Sequence, residues 1–164
     1  LQTLLIDYCR AKGIPSIVDS RYTVRRFSGI GYVKQNDAEL AAAVGRELTT
    51  TEDIIRAAEE LRRELQAKGV LVTRGELGMV LVESGAVHEI PVSDKSEVFD
   101  VSGAGDTCVA TVILALAAGA EPALAARLSN IASGIAVRKL GTSTVSVREL
   151  AEAVEKQHPE YPSK

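Results

Sequence analysis

Tryptophan is absent from this 164-residue sequence, and cysteine, histidine and methionine are scarce, with two, two and one copies. Cys9 and Cys108 lie far apart and no CxxC occurs, which leaves almost no room for a zinc site of Cys and His ligands. Two reduced thiols in a reducing compartment, the cytoplasm, is the simpler reading. An excess of charge of one sign is also lacking. Nineteen Lys and Arg against 22 Asp and Glu give a net charge of −3, which supplies no basic face for nucleic acid. There is no long hydrophobic run. The longest, from Cys108 to Ala120, is too short to span a bilayer and is broken by Thr111 and Gly119. The opening segment LQTLLIDYCRAKG carries Asp7 and Arg10 where a signal peptide needs an apolar core. Repeats, low-complexity tracts and linkers rich in Pro, Gly and Ser are absent too.

What remains is the composition of one soluble globular domain: 46% apolar, 25% charged, 13 glycines. Such a chain can bury a core without staples. It starts with Leu rather than Met, which suits a fragment of something longer.

The patterning is that of an α/β protein. A short helix through Lys12 is expected to give way to a strand at Ile14–Asp19 and another at Gly31–Lys34. Asn36 can cap a helix running through Val44, with Gly45 as its stop. Ile54, Ile55, Ala58, Leu61 and Leu65 share one face of a helix opening at Thr51 and running to about Lys68. Three strands are expected at Val70–Thr73, Met79–Glu83 and Val87–Val92. The early strands are nearly continuous apolar runs, as buried parallel strands are. Helices follow at Asp106–Ala118, from Glu121-Pro122 to about Lys139, and at Val147–Lys156, with a frayed tail over 158–164.

Four segments carry candidate chemistry, each with a simpler reading beside it. In Asp100-Val101-Ser102-Gly103-Ala104-Gly105-Asp106-Thr107 a Gly-Ala-Gly turn opens into an apolar helix. Its free N–H groups and the helix dipole would cradle an anion such as phosphate. Asp106 is either the helix cap or a general base beside that cradle, the cap being the more frequent use of such a residue. In Lys34-Gln35-Asn36-Asp37-Ala38-Glu39, Asn36 and Glu39 are spaced as a capping box; the functional reading is an oxygen-rich site orienting Mg²⁺ or its waters. In Val72-Thr73-Arg74-Gly75-Glu76-Leu77-Gly78 the glycines make a hairpin turn or a loop hugging nucleotide phosphates, with Thr73 as donor. Finally, Ala132, Ser133, Gly134 and Ala136 form a narrow helix surface, for close packing on a sheet or for a flat purine ring. Asp19-Ser20-Arg21 sits at a strand end where open sheets place ligands, and equally suits a local salt bridge. His88 reads as a solvated side chain, and the run Arg21, Arg25, Arg26 as a solvated face or, alternatively, a contact for a sugar phosphate.

Together and in this order, the motifs make the sequence resemble the ribokinase-like (PfkB) carbohydrate kinases. DVSGAGDT matches the family signature D-x-x-G-A-G-D, KQNDAE its N-x-x-E motif and VTRGELG its T-x-G-x-x-G nucleotide motif. The stretch SNIASGIAVRKLGTSTVSVREL is similar to the end of the heptose-7-phosphate kinases, the kinase half of a bifunctional ADP-heptose synthesis protein. The resemblance implies a three-layer α/β/α sandwich with a mostly parallel central sheet. Residues 1–157 would be its C-terminal, nucleotide-binding and catalytic part, and the first strands, most of the sugar pocket and the lid would be absent.

The resemblance also assigns roles. Asp106 would be the catalytic base, with the N–H groups of Gly103, Ala104 and Gly105 as an anion hole. Asn36 and Glu39 would hold the Mg²⁺–phosphate arrangement, largely through water. Thr73, Gly75 and Gly78 would line the ATP phosphates, and Asn130 and Ser133 would lie near the adenine. A monovalent cation such as K⁺ would draw ligands from Asp100, Ser102, Ala136, Lys139 and Gly141. The expected activity is ATP-dependent phosphorylation of a sugar, D-glycero-D-manno-heptose 7-phosphate being the first choice. Alternatives are another acceptor (ribose, a fructose phosphate, a nucleoside) or a nucleotide-binding module without catalysis. An open sheet edge would invite a partner or a second copy, a homodimer among the outcomes.

Overall fold

A computed structural model describes residues 1–92 and 99–157. They fall into two compact units, residues 1–91 and 92–164. The tail expected to fray, 158–164, lies outside the described residues.

In the first unit, short apolar runs alternate with amphipathic helices, and the strands assemble accordingly. Helix α1 (Gln2–Lys12) precedes β1 (Ile17–Asp19). A turn of 3-10 helix (Val24–Arg26) leads to β2 (Tyr32–Asn36), α2 (Asp37–Val44), α3 (Thr51–Leu65) and β3 (Gly69–Thr73). A second 3-10 turn (Gly75–Leu77) joins β3 to β4 (Met79–Glu83), and β5 (Ala86–Ile90) follows. The sheet order is β1-β2-β3-β4-β5. Strands β1, β2 and β3 pair in parallel, while β4 runs antiparallel to both β3 and β5, so four of the five strands point one way.

The two-residue period of the strands decides the core. Val33, Val70, Val72, Val80 and Val82 turn to one face, where they meet Leu40 of α2 and Ile54, Ala57, Ala58, Leu61 and Leu65 of α3 in one cluster. Each of these eleven side chains is at most 2% exposed. Helix α3 starts where it does because Thr50 and Asp53 form a reciprocal capping box. It stops at Leu65, three residues earlier than its apolar spacing suggests, because Gln66 turns left-handed (φ 55°) and returns its N–H to Arg62 and Arg63. Strand β1 is shorter than expected. Pro15 offers no N–H, and pairing with β2 begins only at Ile17.

In the second unit, α4 (Ala104–Ala117) packs on α5 (Pro122–Ala136), and α5 packs on α6 (Val147–Gln157). Helix α4 begins two residues before the expected Asp106, and α5 ends at Ala136 rather than near Lys139. The small residues of α5 are used differently from the expected helix–sheet contact. Ser129 meets Cys108 of α4 at 3.6 Å, and the Ser133 hydroxyl donates to the Ala104 carbonyl at 3.3 Å. Small side chains let two helix backbones approach closely, and that is how this stripe is occupied within the unit. Among the described residues no helix is long and apolar enough to cross a membrane.

Candidate functional site

The candidate residues form two clusters, one in each unit. In the first, Asn36 ends β2 and Thr73 ends β3, directly opposite one another in the parallel register. Both lie at the carboxyl ends of parallel strands, where open α/β sheets present ligand sites. Asn36 caps α2: its Oδ1 accepts the Glu39 N–H at 2.8 Å, and Glu39 Oε2 accepts the Asn36 N–H at 2.8 Å. The capping box is therefore real, and it leaves Glu39 Oε1 as the less committed oxygen, 3.5 Å from the exposed Arg21. One oxygen of this kind suits a bridging water better than direct ligation of a metal. Among the described residues, no group of three or more His, Cys, Asp or Glu could hold a metal ion directly. Asn36 and Glu39 fit Mg²⁺ only as outer-sphere partners of a cation that arrives with its own oxygens.

The segment after Thr73 is a hairpin turn, as the simpler reading expected. The Arg74 N–H donates to Gly78 O at 2.9 Å, and the Gly78 N–H to Gly75 O at 3.1 Å. Gly78 adopts φ 84°, ψ −132°, a backbone open in practice only to glycine. The resulting tight loop carries no side chain at Gly75 or Gly78; Gly75 is exposed and Gly78 buried.

Asp19-Ser20-Arg21 resolves as local ion pairing. Asp19 accepts the nearly buried Lys34 ammonium at 2.9 Å, and Arg21 faces Glu39. Arg25 pairs with Glu64 at 2.8 Å, and His88 lies 3.7 Å from Glu83.

The second cluster surrounds the start of α4. Gly103, not Asp106, is its N-cap, with φ 79°, ψ −1° and no side-chain cap bond. Asp106 is the third helical residue and exposed, which removes the capping explanation for it. Among the described residues no protein group takes its carboxylate. The Gly103, Gly105 and Asp106 N–H groups likewise find no protein acceptor among the described residues, whereas the Ala104 N–H donates to Val101 O at 3.2 Å. Of the three N–H groups expected in the anion cradle, two are thus without an acceptor among the described residues, and the Ala104 one is engaged. Unpaired donors at a helix start, with an exposed carboxylate one position on, can hold an anion and accept a proton beside it.

Asp100 ties this start to the chain beyond α5. Its Oδ1 accepts the Ser102 N–H at 2.8 Å and its Oδ2 the Gly141 N–H at 3.1 Å. Those backbone bonds hold its carboxyl below the usual carboxylate range. Asp100, Ser102 and Gly141 are therefore brought together. The Ala136 carbonyl accepts the Lys139 N–H at 3.0 Å, and the Lys139 ammonium reaches Thr144 O and Glu149. The Gly141 carbonyl accepts the Ser143 hydroxyl at 3.1 Å, and a carbonyl that accepts one hydrogen bond keeps a second lone pair. Asn130 is 7% exposed on α5, and the Ser133 hydroxyl is committed to Ala104.

The sequence reading missed a polar group behind the first cluster. The Arg74 guanidinium, flanked by Asp37 and Thr51, is largely buried. Arg74 stood inside a motif already singled out, but nothing in its spacing announced a buried side chain.

Comparison with known proteins follows the same lines. The profile of pfkB family carbohydrate kinases matches residues 2–149. A protein of Mesorhizobium japonicum named Bifunctional protein HldE is 41% identical over 155 residues, 94% of this chain and 31% of the relative. Its namesake from Halorhodospira halophila is 43% identical over 153 residues, 92% of this chain and 31% of the relative. The crystal structure of phosphofructokinase-2 from Escherichia coli in complex with potassium superposes with a TM-score of 0.84 at 30% identity, covering 95% of this chain and 52% of that one. The chain thus spans about a third of the length of these curated relatives and about half of that structure.

Proposed function

The chain belongs to the pfkB family of carbohydrate kinases and has the ribokinase-like α/β fold, and on that premise we propose that it carries the nucleotide-binding and catalytic-base part of an ATP-dependent sugar kinase. The observation that carries this reading is the exposed Asp106 carboxylate in the first turn of α4, beside glycine N–H groups that find no acceptor among the described residues. As base, Asp106 accepts the proton of a sugar hydroxyl while that oxygen attacks the γ-phosphorus of ATP in line and ADP departs. The Gly103 and Gly105 N–H groups meet the charge that develops on the transferred phosphoryl group. The Ala104 N–H joins them only on release from Val101.

In this proposal Thr73, Gly75 and Gly78 line the triphosphate, and Asn130 and Ser133 border the adenine. Mg²⁺, when bound, neutralises phosphate charge. Asn36 and Glu39 orient its waters. Asp100, Ser102, Ala136, Lys139 and Gly141 surround a monovalent cation, for which the potassium named with the Escherichia coli structure is the supporting precedent. The acceptor we infer is D-glycero-D-manno-heptose 7-phosphate, phosphorylated at its anomeric hydroxyl. Its support is the SNIASGIAVRKLGTST stretch and the likeness to the two relatives named above.

The test is ADP release with Mg-ATP and a sugar panel including heptose 7-phosphate, for the unsubstituted protein and for Asp106→Asn. Removal of a general base is expected to lower turnover by about 10²–10⁴-fold with ATP affinity nearly unchanged. Full activity in Asp106→Asn would refute the base assignment. ATP binding with no turnover on any sugar would replace catalysis by nucleotide binding alone.

A further inference from the structure

Arg74 does something that the turn around it does not require. It is the residue between Thr73 and Gly75, yet its side chain is only 11% exposed. Its Nη1 donates to Thr51 Oγ1, on the first residue of α3, at 3.1 Å. Its Nε lies 3.9 Å from Oδ2 of Asp37, the first residue of α2. Its backbone N–H closes the loop onto Gly78 O. One residue therefore links the Thr73–Gly78 loop to the starts of two helices, and Asp37 directly follows Asn36.

The linkage is incompletely satisfied. Arg74 Nε, Asp37 Oδ1 and Gln35 Oε1 are all buried and find no hydrogen-bond partner among the described residues. Gln35 is fully buried and sits on β2 one residue before Asn36. Burial raises the Asp37 pKa above its ordinary value, with Arg74 opposing the rise. At 3.9 Å the guanidinium and carboxylate attract each other but are about 1 Å too far apart for a hydrogen bond. Leaving a buried donor and acceptor unmade is costly, so closing that gap is a favourable step open to this cluster.

The side of the sheet is informative. Arg74 contacts α2 and α3, on the face where Val72 enters the core. Thr73, one residue earlier, takes the alternate side of β3 to Val72. Arg74 thus stands behind the loop, where it acts through its neighbours.

We propose that Arg74 is a positioning residue: it couples the Thr73–Gly78 nucleotide loop to the Asn36–Glu39 turn through Asp37, while its bond to Thr51 anchors it on the start of α3. The proposal rests on the nucleotide reading above and assigns the residue that makes its two parts act together. In a coupled pair of sites each ligand improves the other's binding by the same factor. Mg²⁺ therefore strengthens ATP binding in the unsubstituted chain by a factor that Arg74→Ala reduces.

The experiment is calorimetric titration of the full chain with ATP, with and without Mg²⁺, for the unsubstituted chain, Arg74→Ala, Arg74→Lys and Asp37→Asn. Melting temperature is recorded for each. The expected result is a roughly tenfold smaller Mg²⁺ enhancement in Arg74→Ala, a similar loss in Asp37→Asn, and little further loss when the two are combined. Arg74→Lys, which keeps the charge but not the fork, recovers only part. A purely structural role would lower the melting temperature and weaken both affinities in parallel, and that result overturns the proposal. So does an unchanged Mg²⁺ enhancement in Arg74→Ala. Absence of ATP binding in the unsubstituted chain overturns the nucleotide reading itself, a separate outcome.

Discussion

Replacing Gly103 by Ala tests whether the start of α4 is held in a conformation reserved for glycine. Gly103 has φ 79°, ψ −1°, and an L-residue there costs about 1–2 kcal/mol. Alanine also restricts the unfolded chain, which returns about 0.4–1 kcal/mol. The new Cβ would stand 3.3 Å from Thr142 Cγ2, a tight contact that adds a few tenths of a kcal/mol unless the exposed Thr142 shifts. The net expectation is a loss of about 1 kcal/mol, equivalent to about 2–4 °C in Tm for a chain of this size. Thermal melting followed by circular dichroism reads it. Thr142→Ser deletes the methyl group in question, so in that background the penalty should shrink to its backbone part, a few tenths smaller. Gly103→Ala melting at or above the unsubstituted chain would show that the left-handed cap is not required. An equal penalty in both backgrounds would show that Thr142 does not confine the site.

Two further outcomes follow from the first unit. A Cβ on Gly31 would sit 2.7 Å from the Ser16 carbonyl oxygen, which as backbone cannot swing aside, so Gly31→Ala should cost about 1–3 kcal/mol by denaturant melting. Glu59 is held near pKa 2, below its ordinary 4.5, first by hydrogen bonding from Arg62 and then by Arg63. Because the folded-state pKa is depressed, its contribution is complete above about pH 4.5 and is lost as pH falls toward 2. Partly exposed pairs of this kind contribute on the order of 1 kcal/mol, so Glu59→Gln should lower stability by about that much at pH 7, change little near pH 2, and thereby flatten the pH dependence of stability over that window.

Much of the local structure is written in short-range chemistry. The cap Asn36 and the stop Gly45 delimit α2 as expected, and the apolar spacing from Ile54 to Leu65 defines the buried face of α3. Local signals succeed here because a capping box and a helical stripe involve residues only three or four apart. They fail where partners are distant. The length of β1 depends on which of its residues find β2. The reversal of β4, which makes the sheet mixed at one edge, appears only in the pairing. Asp106 looked like a cap because the sequence could not say that α4 begins at Ala104.

The sequence by itself determined the α/β class, the family and the identity of the residues with candidate chemistry, since these depend on residue type, order and spacing. Only the tertiary structure decided how their polar atoms are committed. It showed that Glu39 has one oxygen spent on capping, that the Ala104 N–H is engaged while those of Gly103 and Gly105 find no acceptor among the described residues, and that Ser129 and Ser133 of α5 are taken up by α4. It also placed Arg74 against Asp37 and Thr51, residues 37 and 23 positions away in sequence order. The physical reason is that hydrogen bonding and burial are set by neighbours in space, and a strand register or a helix crossing chooses those neighbours from anywhere along the chain.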